Sequence, residues 1–345
     1  MALTPSMNTD FTRLLGLRTP IVSAPMAGAS GGNLAAQVSL GGGFGFIAAG
    51  YDTPHKFGHE LALARAVLQI PAATRLPLGV GFLCWQLEKP DSPASKLLSI
   101  ALENGVQAVW FSFGTQLGRW VQYVRDYDQR VGSTQRTLVF AQVSSEQDIL
   151  AAVNDWKVDV LVVQGNESGG HGFSNAAPTA SLVLKALPLA RAAGIPLLAA
   201  GGLATGAHVA SILALGASGA VLGTRFLLTP ESLYTDKQRQ ALLDASDSST
   251  VRTMAFDVAR GTLGWPEGVD GRALRNSTVA DHENGRDERE LKKLFAKAQA
   301  EGDRERMLVW AGTGVGAINS IKPAKEVVEE LHNECVEHLQ MGPRL

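Results

Sequence analysis

The sequence lacks the features that mark several classes of protein. Its 345 residues include only two cysteines, Cys84 and Cys335, too few and too far apart for a disulfide framework or a zinc cluster. Charged residues make up 19% of the chain and the formal net charge is −2, so no surface for nucleic acid or anionic membranes is expected. A reducing compartment is the simplest interpretation of so little cysteine.

Long uninterrupted apolar runs are also missing. Two stretches without charge, residues 19–51 and 195–224, are broken by glycines and turn residues into pieces too short for a membrane helix. The first twenty residues contain no basic segment followed by an apolar core, so we expect no secretory signal. These absences predict a soluble, cytoplasmic protein without a membrane or nucleic-acid partner.

The sequence does contain a regular alternation of short apolar runs and longer segments with helical periodicity. Strands that alternate with helices predict parallel pairing through right-handed crossovers. Eight such units favour an α/β fold of the (β/α)8 TIM-barrel type, with an open doubly wound sheet as the alternative. The predicted strands span residues 21–26, 44–50, 78–83, 108–114, 137–144, 159–165, 195–202 and 219–228.

The composition changes after the eighth predicted strand. Residues 229–306 contain 28 of the 64 charged residues, and Leu291, Leu294, Phe295 and Ala298 lie on one face of a predicted helix. We interpret this segment as a mainly helical insertion without a core of its own, which covers the barrel mouth as a lid. A solvated helical surface is the alternative. The barrel itself then comprises residues 1–228 and 307–345.

Two glycine-rich turns are expected at neighbouring strand ends. Gly201 and Gly202 follow strand seven, just before a helix that starts near Thr205, and Gly223 and Thr224 follow strand eight. Backbone N–H groups at glycines can converge on an anion, and a helix N-terminus adds to the attraction. TIM barrels commonly bind phosphate at the loops after strands seven and eight, so the pair predicts a phosphate site. Ordinary tight turns are the alternative.

Two further motifs have weaker implications. "WAGTGVGAI" matches G-x-G-x-x-A across Gly312, Gly314 and Ala317, but too little chain follows for the βαβ unit of a dinucleotide site. We interpret it as a glycine-rich wall at the barrel mouth. Pro25 and Met26 end strand one, where a stiff backbone and a polarizable side chain suit a flat cofactor ring, although core packing explains them equally well.

His171 stands in "VVQGNESGGHGF", a glycine-rich segment directly after strand six, which we predict to be a loop. A lone histidine is often structural, but its place at a strand end of a barrel favours a catalytic role. The sequence contains no H-E-x-x-H metal motif, no nucleophile elbow and no P-loop. One histidine, one phosphate site and no metal indicate chemistry carried by an organic cofactor.

The motifs together resemble the nitronate monooxygenases, formerly called 2-nitropropane dioxygenases. The resemblance covers nearly the whole chain, through "SAPMAGASGGN", "VQGNESGGHGF", "AAGGLATG", "GAVLGTRF", "GRALRN" and "WAGTGVG" in the family's order. It implies an FMN-dependent barrel in which His171 is the catalytic base. It also implies FMN contacts from strand one, strand three, strand six and its loop, and strands seven and eight: Pro25, Met26, Ala27, Gly81 (an asparagine in some members), Gln164, Gly170, Gly201, Gly202, Leu203, Gly223 and Thr224.

The activity implied by the resemblance is oxidation of alkyl nitronates by FMN and O2 to a carbonyl compound and nitrite. Nitroalkanes themselves are a possible extension of the substrate range. Two alternatives stay open: an NAD(P)H-dependent reductase of enoyl thioesters, and a flavin-binding protein without turnover. The substrate's chain length and the oligomeric state do not follow from the sequence.

Overall fold

The computed structural model describes residues 5–90 and 92–340. Residues 1–4 and 341–345, at the outer ends of the two predicted barrel segments, and Asp91 lie outside the described residues. The strands in chain order are β1 (Ile21–Ser23), β2 (Phe46–Ala48), β3 (Leu76–Leu83), β4 (Val106–Ser112), β5 (Leu138–Val143), β6 (Val160–Gln164), β7 (Gly170–Phe173), β8 (Leu197–Ala200), β9 (Gly219–Leu222), β10 (Thr250–Thr253) and β11 (Val269–Leu274).

Eight of these strands form the predicted parallel barrel. The order around it is β1-β9-β8-β6-β5-β4-β3-β2, and every pair is parallel. A parallel bridge between Val22 and Phe44 joins β1 to the residues just before β2. Backbone bonds from Ser23 N–H to the Phe44 carbonyl (3.1 Å) and from Phe44 N–H to the Ile21 carbonyl (2.9 Å) complete the ring. The TIM-barrel prediction is confirmed.

Helices follow the strands because the intervening segments carry helix-start signals and one apolar face. Thr53, Ser145 and Thr205 each accept a hydrogen bond from a backbone N–H in the first turn of the helix that follows. The helices are α1 (Asp10–Leu15), α2 (Gly32–Leu40), α3 (Pro54–Leu68), α4 (Cys84–Leu87), α5 (Ala94–Glu103), α6 (Leu117–Arg130), α7 (Glu146–Asn154), α8 (Thr179–Ala193), α9 (Gly206–Ala214), α10 (Thr224–Leu227), α11 (Asp236–Leu243), α12 (Ala255–Arg260), α13 (Ser277–Glu283), α14 (Glu288–Glu301) and α15 (Ala324–Gln340).

Aromatic side chains fill the inside of the barrel below the site. Phe44, Phe46, Trp110 and Phe140 pack against one another with ring centroids 5.1–6.0 Å apart, and Phe11 of α1 adds an edge contact to Phe140. All five are at most 1% exposed. Because this end is filled, open space remains only toward the carboxyl ends of the strands, as is usual in such barrels.

Two local predictions are wrong. The eighth predicted strand, 219–228, ends at Leu222, and Thr224–Leu227 form the short helix α10, which buries Phe226 and Leu227. The segment around His171 is not a loop, because Gly170–Phe173 form β7 and pair antiparallel with β11. Glycines leave this segment free to adopt either conformation, and a distant strand decides the outcome.

Residues 229–306 contain α11 to α14 together with β10 and β11, so the segment carries strands as well as helices. The prediction that it has no core of its own is wrong. Phe256, Leu291 and Phe295 belong to a buried cluster that lies almost wholly within the segment. The sheet β10-β11-β7 nevertheless takes its third strand from the barrel, so the insertion and the barrel share one sheet.

Two kinds of binding feature are absent from the described residues, a membrane-spanning helix and a cluster of metal ligands. Within residues 5–90 and 92–340, no helix is long and apolar enough to cross a membrane. Over the same ranges, no three His, Cys, Asp or Glu side chains are grouped so as to hold a metal ion. The cytoplasmic location and the metal-free chemistry stay predictions.

Candidate active site

A deep cavity opens at the carboxyl ends of the barrel strands, between the barrel and the insertion. It contains about 1210 Å³ of empty space, its open mouth included. Ten of the eleven predicted cofactor residues line it together with His171. They are Pro25, Met26, Ala27, Gln164, Gly170, Gly201, Gly202, Leu203, Gly223 and Thr224.

Gly81 is the exception, since it does not line the cavity. A Cβ built on it would lie 2.3 Å from Cβ of Pro25, which is far inside normal contact distance. Glycine at position 81 therefore makes room for Pro25, and Pro25 in turn lines the cavity. The structure gives Gly81 an indirect role in shaping the wall, rather than the direct contact that the resemblance implies.

Glycine backbone forms the wall at the ends of β8 and β9. Gly201 and Gly202 have φ values of +114° and +73°, a region that L side chains rarely adopt. The backbone N–H groups of Gly202, Leu203 and Gly223 donate to no acceptor among the described residues. Neighbouring unpaired N–H groups form an anion-binding concavity, so this wall suits a phosphate.

The first turn of the helix that follows β8 already contacts a carboxylate. Glu334 of α15 accepts hydrogen bonds from the backbone N–H groups of Gly206 (2.7 Å) and Ala207 (3.3 Å), in the first turn of α9. Its carboxylate already compensates the positive end of this helix. The attraction of a phosphate by the α9 N-terminus stays a prediction, whereas the turn before the helix offers N–H groups without an acceptor among the described residues.

The "WAGTGVG" segment completes this wall, as predicted. Gly312 and Gly314 line the cavity, and the Gly312 N–H donates to Thr224 Oγ1 at 3.0 Å. A Cβ on Gly314 would lie 2.4 Å from the Gly202 carbonyl oxygen. The segment approaches the β8 turn closely because Gly314 has no side chain. The segment itself turns into a short 3-10 helix (Thr313–Ala317), and α15 follows, which agrees with the rejection of a dinucleotide fingerprint.

His171 lies on β7 with its ring held by a carboxylate that the sequence analysis missed. Its Nε2 is 3.0 Å from both carboxylate oxygens of Asp257 on α12. The His171 side chain is 10% exposed and that of Asp257 is fully buried. Asp257 Oδ1 also accepts from Thr262 Oγ1 (2.8 Å) and Trp265 Nε1 (3.2 Å). These donors fix the carboxylate, and a fixed carboxylate orients the imidazole.

The consequence of this contact is a defined tautomer. A carboxylate only accepts hydrogen bonds when ionised, so the His171 proton lies on Nε2. The other ring nitrogen, Nδ1, then carries a lone pair, and it has no hydrogen-bond partner within the described part of the chain. A histidine with a free lone pair on a cavity wall is equipped to accept a proton.

Aromatic rings enclose the imidazole. Trp265 stacks on its face with a centroid distance of 3.7 Å and an interplanar angle of 12°, and Trp310 approaches at 5.0 Å and 62°. The Trp310 backbone N–H donates to Tyr234 Oη at 3.0 Å. Burial raises the pKa of Tyr234 well above its usual range, so its hydroxyl stays protonated. The histidine therefore lies between two aromatic rings at the cavity wall.

Two arginines of the insertion fix the segment before β7. Arg252 donates to the carbonyls of Gly172 (2.6 Å) and Asn166 (3.2 Å), and it also forms an ion pair with Asp270. Arg272 donates to the same Asn166 carbonyl at 3.0 Å. Since β7 also pairs with β11, the backbone position of His171 depends on the insertion.

The remaining wall contains a few polar groups suited to a cofactor with a polar edge. Gln142 Nε2 donates to Gln164 Oε1 (3.0 Å), and Gln164 Nε2 donates to the His171 carbonyl (3.3 Å). Two buried atoms on lining residues, Ser168 Oγ and Trp110 Nε1, have no partner among the described residues. Buried polar atoms without partners are costly, so these atoms fit a bound ligand with polar groups at its edge.

The family model for nitronate monooxygenase matches residues 8–334, and the chain belongs to the nitronate monooxygenase family. This is a family of flavin-dependent oxidoreductases. The open cavity and the unpartnered polar atoms on its lining residues are compatible with a bound flavin.

Individual relatives agree with the family. A nitronate monooxygenase of Neurospora crassa is 33% identical over 342 residues, which span 93% of this chain and 90% of the relative. Among solved structures, FabK from Thermotoga maritima has a TM-score of 0.78 at 28% identity, covering 97% of this chain and 98% of that one. A nitroalkane oxidase from Streptomyces ansochromogenes has a TM-score of 0.77 at 27% identity, covering 96% and 99%.

Proposed function

We propose that this protein binds FMN in the cavity and oxidises alkyl nitronates with O2 to a carbonyl compound and nitrite. The observation that supports this best is the presence on one cavity of a glycine backbone wall with free N–H groups and a carboxylate-held histidine. The first feature suits the phosphate of a cofactor, and the second suits a substrate with an acidic C–H bond.

Each part of the wall has a distinct task in this proposal. The N–H groups of Gly202, Leu203 and Gly223 would hold the FMN phosphate, and Pro25, Met26 and Ala27 would lie against its ring system. When bound, the flavin would supply the electron transfer between substrate and O2, which side chains do not carry. The insertion would act as a lid that keeps water from the substrate.

His171 serves as the base for substrates that arrive protonated. A neutral nitroalkane carries an acidic hydrogen on the carbon beside the nitro group, and Nδ1 of His171 would accept it. The resulting imidazolium is stabilised by Asp257, whose carboxylate stays 3.0 Å from Nε2. A nitronate has already lost this proton, so it needs only binding and orientation.

An anaerobic titration of the purified yellow protein tests the function. We expect ethyl nitronate to bleach the flavin absorbance, and readmitted O2 to restore it with release of nitrite. Bleaching by NADPH alone would instead support an enoyl-thioester reductase. If neither reagent bleached the flavin, the protein would be a flavin binder without this activity.

The role of His171 is tested by replacing it with asparagine, which keeps a hydrogen-bonding side chain of similar size. Positioned proton transfer contributes about 10²–10⁴-fold, so His171→Asn should lose that factor with nitroethane and much less with ethyl nitronate. Flavin content is measured on the same samples. An equal loss with both substrates would assign His171 to binding rather than to proton abstraction.

A further inference from the structure

The charged side chains that line the cavity are of one sign only. Arg260 is the only lysine or arginine among the lining residues that the structure describes, and no aspartate or glutamate lines the cavity beside it. The neighbouring lining residues Tyr51, Trp265 and Trp310 are aromatic. A single cation on a mostly apolar wall attracts an anion, because no other charged side chain on the wall competes with it.

Arg260 is also unengaged within the protein. It is the last residue of α12, one helical turn beyond Asp257, and its side chain is exposed. Its guanidinium forms no ion pair and no hydrogen bond to any residue in 5–90 and 92–340. By contrast, Arg239, Arg252 and Arg304 of the same insertion all pair with carboxylates.

The Arg260 charge reaches the cavity electrostatically. Burial raises the pKa of Tyr234, a lining residue, and the positive charge of Arg260 opposes part of that rise. The helix end favours a cation at this position, since the C-terminus of a helix carries partial negative charge. Arg260 therefore lies beside the site, and binding an anion there would not require it to leave an existing ion pair.

We propose that Arg260 binds the anionic end of the substrate and so selects nitronates over the neutral nitroalkanes. This rests on the function proposed above. A nitronate carries its charge on two coplanar oxygens, the geometry that a guanidinium recognises with two parallel N–H bonds. A neutral nitro group has the same shape without the net charge, so it gains far less from the contact.

The experiment compares Arg260→Gln and Arg260→Lys with the parent, using ethyl nitronate and nitroethane at several ionic strengths. Hydrogen bonds to charged groups contribute about 1.5–3 kcal/mol, which corresponds to roughly 10–100-fold in binding. We expect kcat/KM of Arg260→Gln for the nitronate to fall by that factor, mainly through KM. With nitroethane the change should stay within about threefold. Arg260→Lys should keep part of the preference because it keeps the charge.

The dependence of kcat/KM on ionic strength provides a second test of the proposal. In the parent, kcat/KM for the nitronate should fall as ionic strength rises, because salt screens exposed charges, and Arg260→Gln should lose this dependence. Arg304→Gln is the matched control, since it removes the same charge from the insertion at a residue that does not line the cavity. It should behave like the parent.

Several results would overturn the proposal. Equal losses for both substrates, an unchanged nitronate KM, or the same loss in Arg304→Gln would each contradict selection by Arg260. Loss of flavin from Arg260→Gln would show that the guanidinium holds the cofactor instead. A parent protein that does not oxidise nitronates at all would refute the proposed function itself, and this outcome is separate from the others.

Discussion

The two walls of the cavity are built in opposite ways. The wall at the ends of β1, β8 and β9 consists largely of backbone and small side chains, as at Gly202 and Gly223. The insertion wall consists of side chains, among them Arg260 and Trp265. Behind them, Asp257 bonds to Trp265 and to His171, which lies 86 residues away in the chain. The barrel wall offers shape and N–H groups to a cofactor, whereas the insertion wall supplies the charges and the rings around the reacting histidine.

This difference has a chemical reason. A phosphate and a flat ring system are recognised by close backbone approach, which side chains would obstruct. A proton acceptor and a bound anion need specific ionisable groups at fixed distances. Changes in the barrel wall should therefore act on cofactor binding, and changes in the insertion wall on turnover and substrate choice.

The largest effect on cofactor binding should come from a charge placed in the barrel wall. Gly202→Asp puts a carboxylate where the phosphate is expected, and like charges about 4 Å apart repel by about 4 kcal/mol at an effective dielectric constant of 20. FMN binding should weaken at least about 100-fold, measured by fluorescence as FMN is added to the apoprotein. Gly202→Asn is the matched control, because it shares the cost of φ = +73° and the contact with Glu167 Cβ. If both variants bound FMN equally well, the phosphate would lie elsewhere.

A change in the insertion wall should act through His171 alone. Asp257→Asn removes the carboxylate that holds the Nε2 proton, so turnover of nitroethane should fall by up to the same factor of about 10²–10⁴ as in His171→Asn. The double variant should lose no more than His171→Asn does, since residues that act as one unit are not additive. Flavin content should stay at the parent level. Additive losses in the double variant would mean that Asp257 acts independently of the histidine.

The smallest effect concerns the barrel's stability rather than the site. His332 of α15 is fully buried, its Nε2 lies 3.0 Å from the Pro5 carbonyl, and its Nδ1 has no partner. Burial lowers the pKa of His332, the bond to Pro5 opposes this, and the charge of Arg18 lowers it further. As the pH falls, His332 therefore takes up a proton in the unfolded chain before it does so in the folded protein. Its contribution to the free energy of unfolding is fully present above pH 6.5 and declines as the pH falls below that value.

Urea unfolding at several pH values checks this expectation. Between pH 7 and pH 5, the stability of His332→Gln should depend less on pH than that of the parent, by at most about 1.4 kcal/mol per pH unit. His338→Gln removes an exposed histidine from the same helix and should leave the parent slope unchanged. If the free energy of unfolding of His332→Gln changed with pH as steeply as that of the parent, His332 would be protonated equally in the folded and unfolded states.

The two walls also differ in how well the sequence predicts them. The barrel strands, the turns at Gly201 and Gly223 and the position of His171 carry local signals, because apolar runs, glycines and strand ends lie within a few residues of one another. Asp257 stands 86 residues from its histidine, among 28 charged residues of the insertion. Its one local signal is the apolar context "AFDVA", since an aspartate flanked by buried residues needs a partner. The strand pairing of "GHGF" has no local signal at all.

In the sheet that the barrel and the insertion share, the orientation of His171 depends on the register between β7 and β11. His171 pairs with Gly271, and Gly170 with Arg272. Because successive residues of a strand face opposite sides, a slip of one residue between β7 and β11 would turn the imidazole away from the cavity. A side chain at position 271 would also meet the Trp310 ring at 2.4 Å. We therefore expect the exposed turn between α13 and α14 to tolerate added or deleted residues. A single insertion or deletion within β11 should instead turn His171 away from the cavity, although the sequence would still contain every catalytic residue.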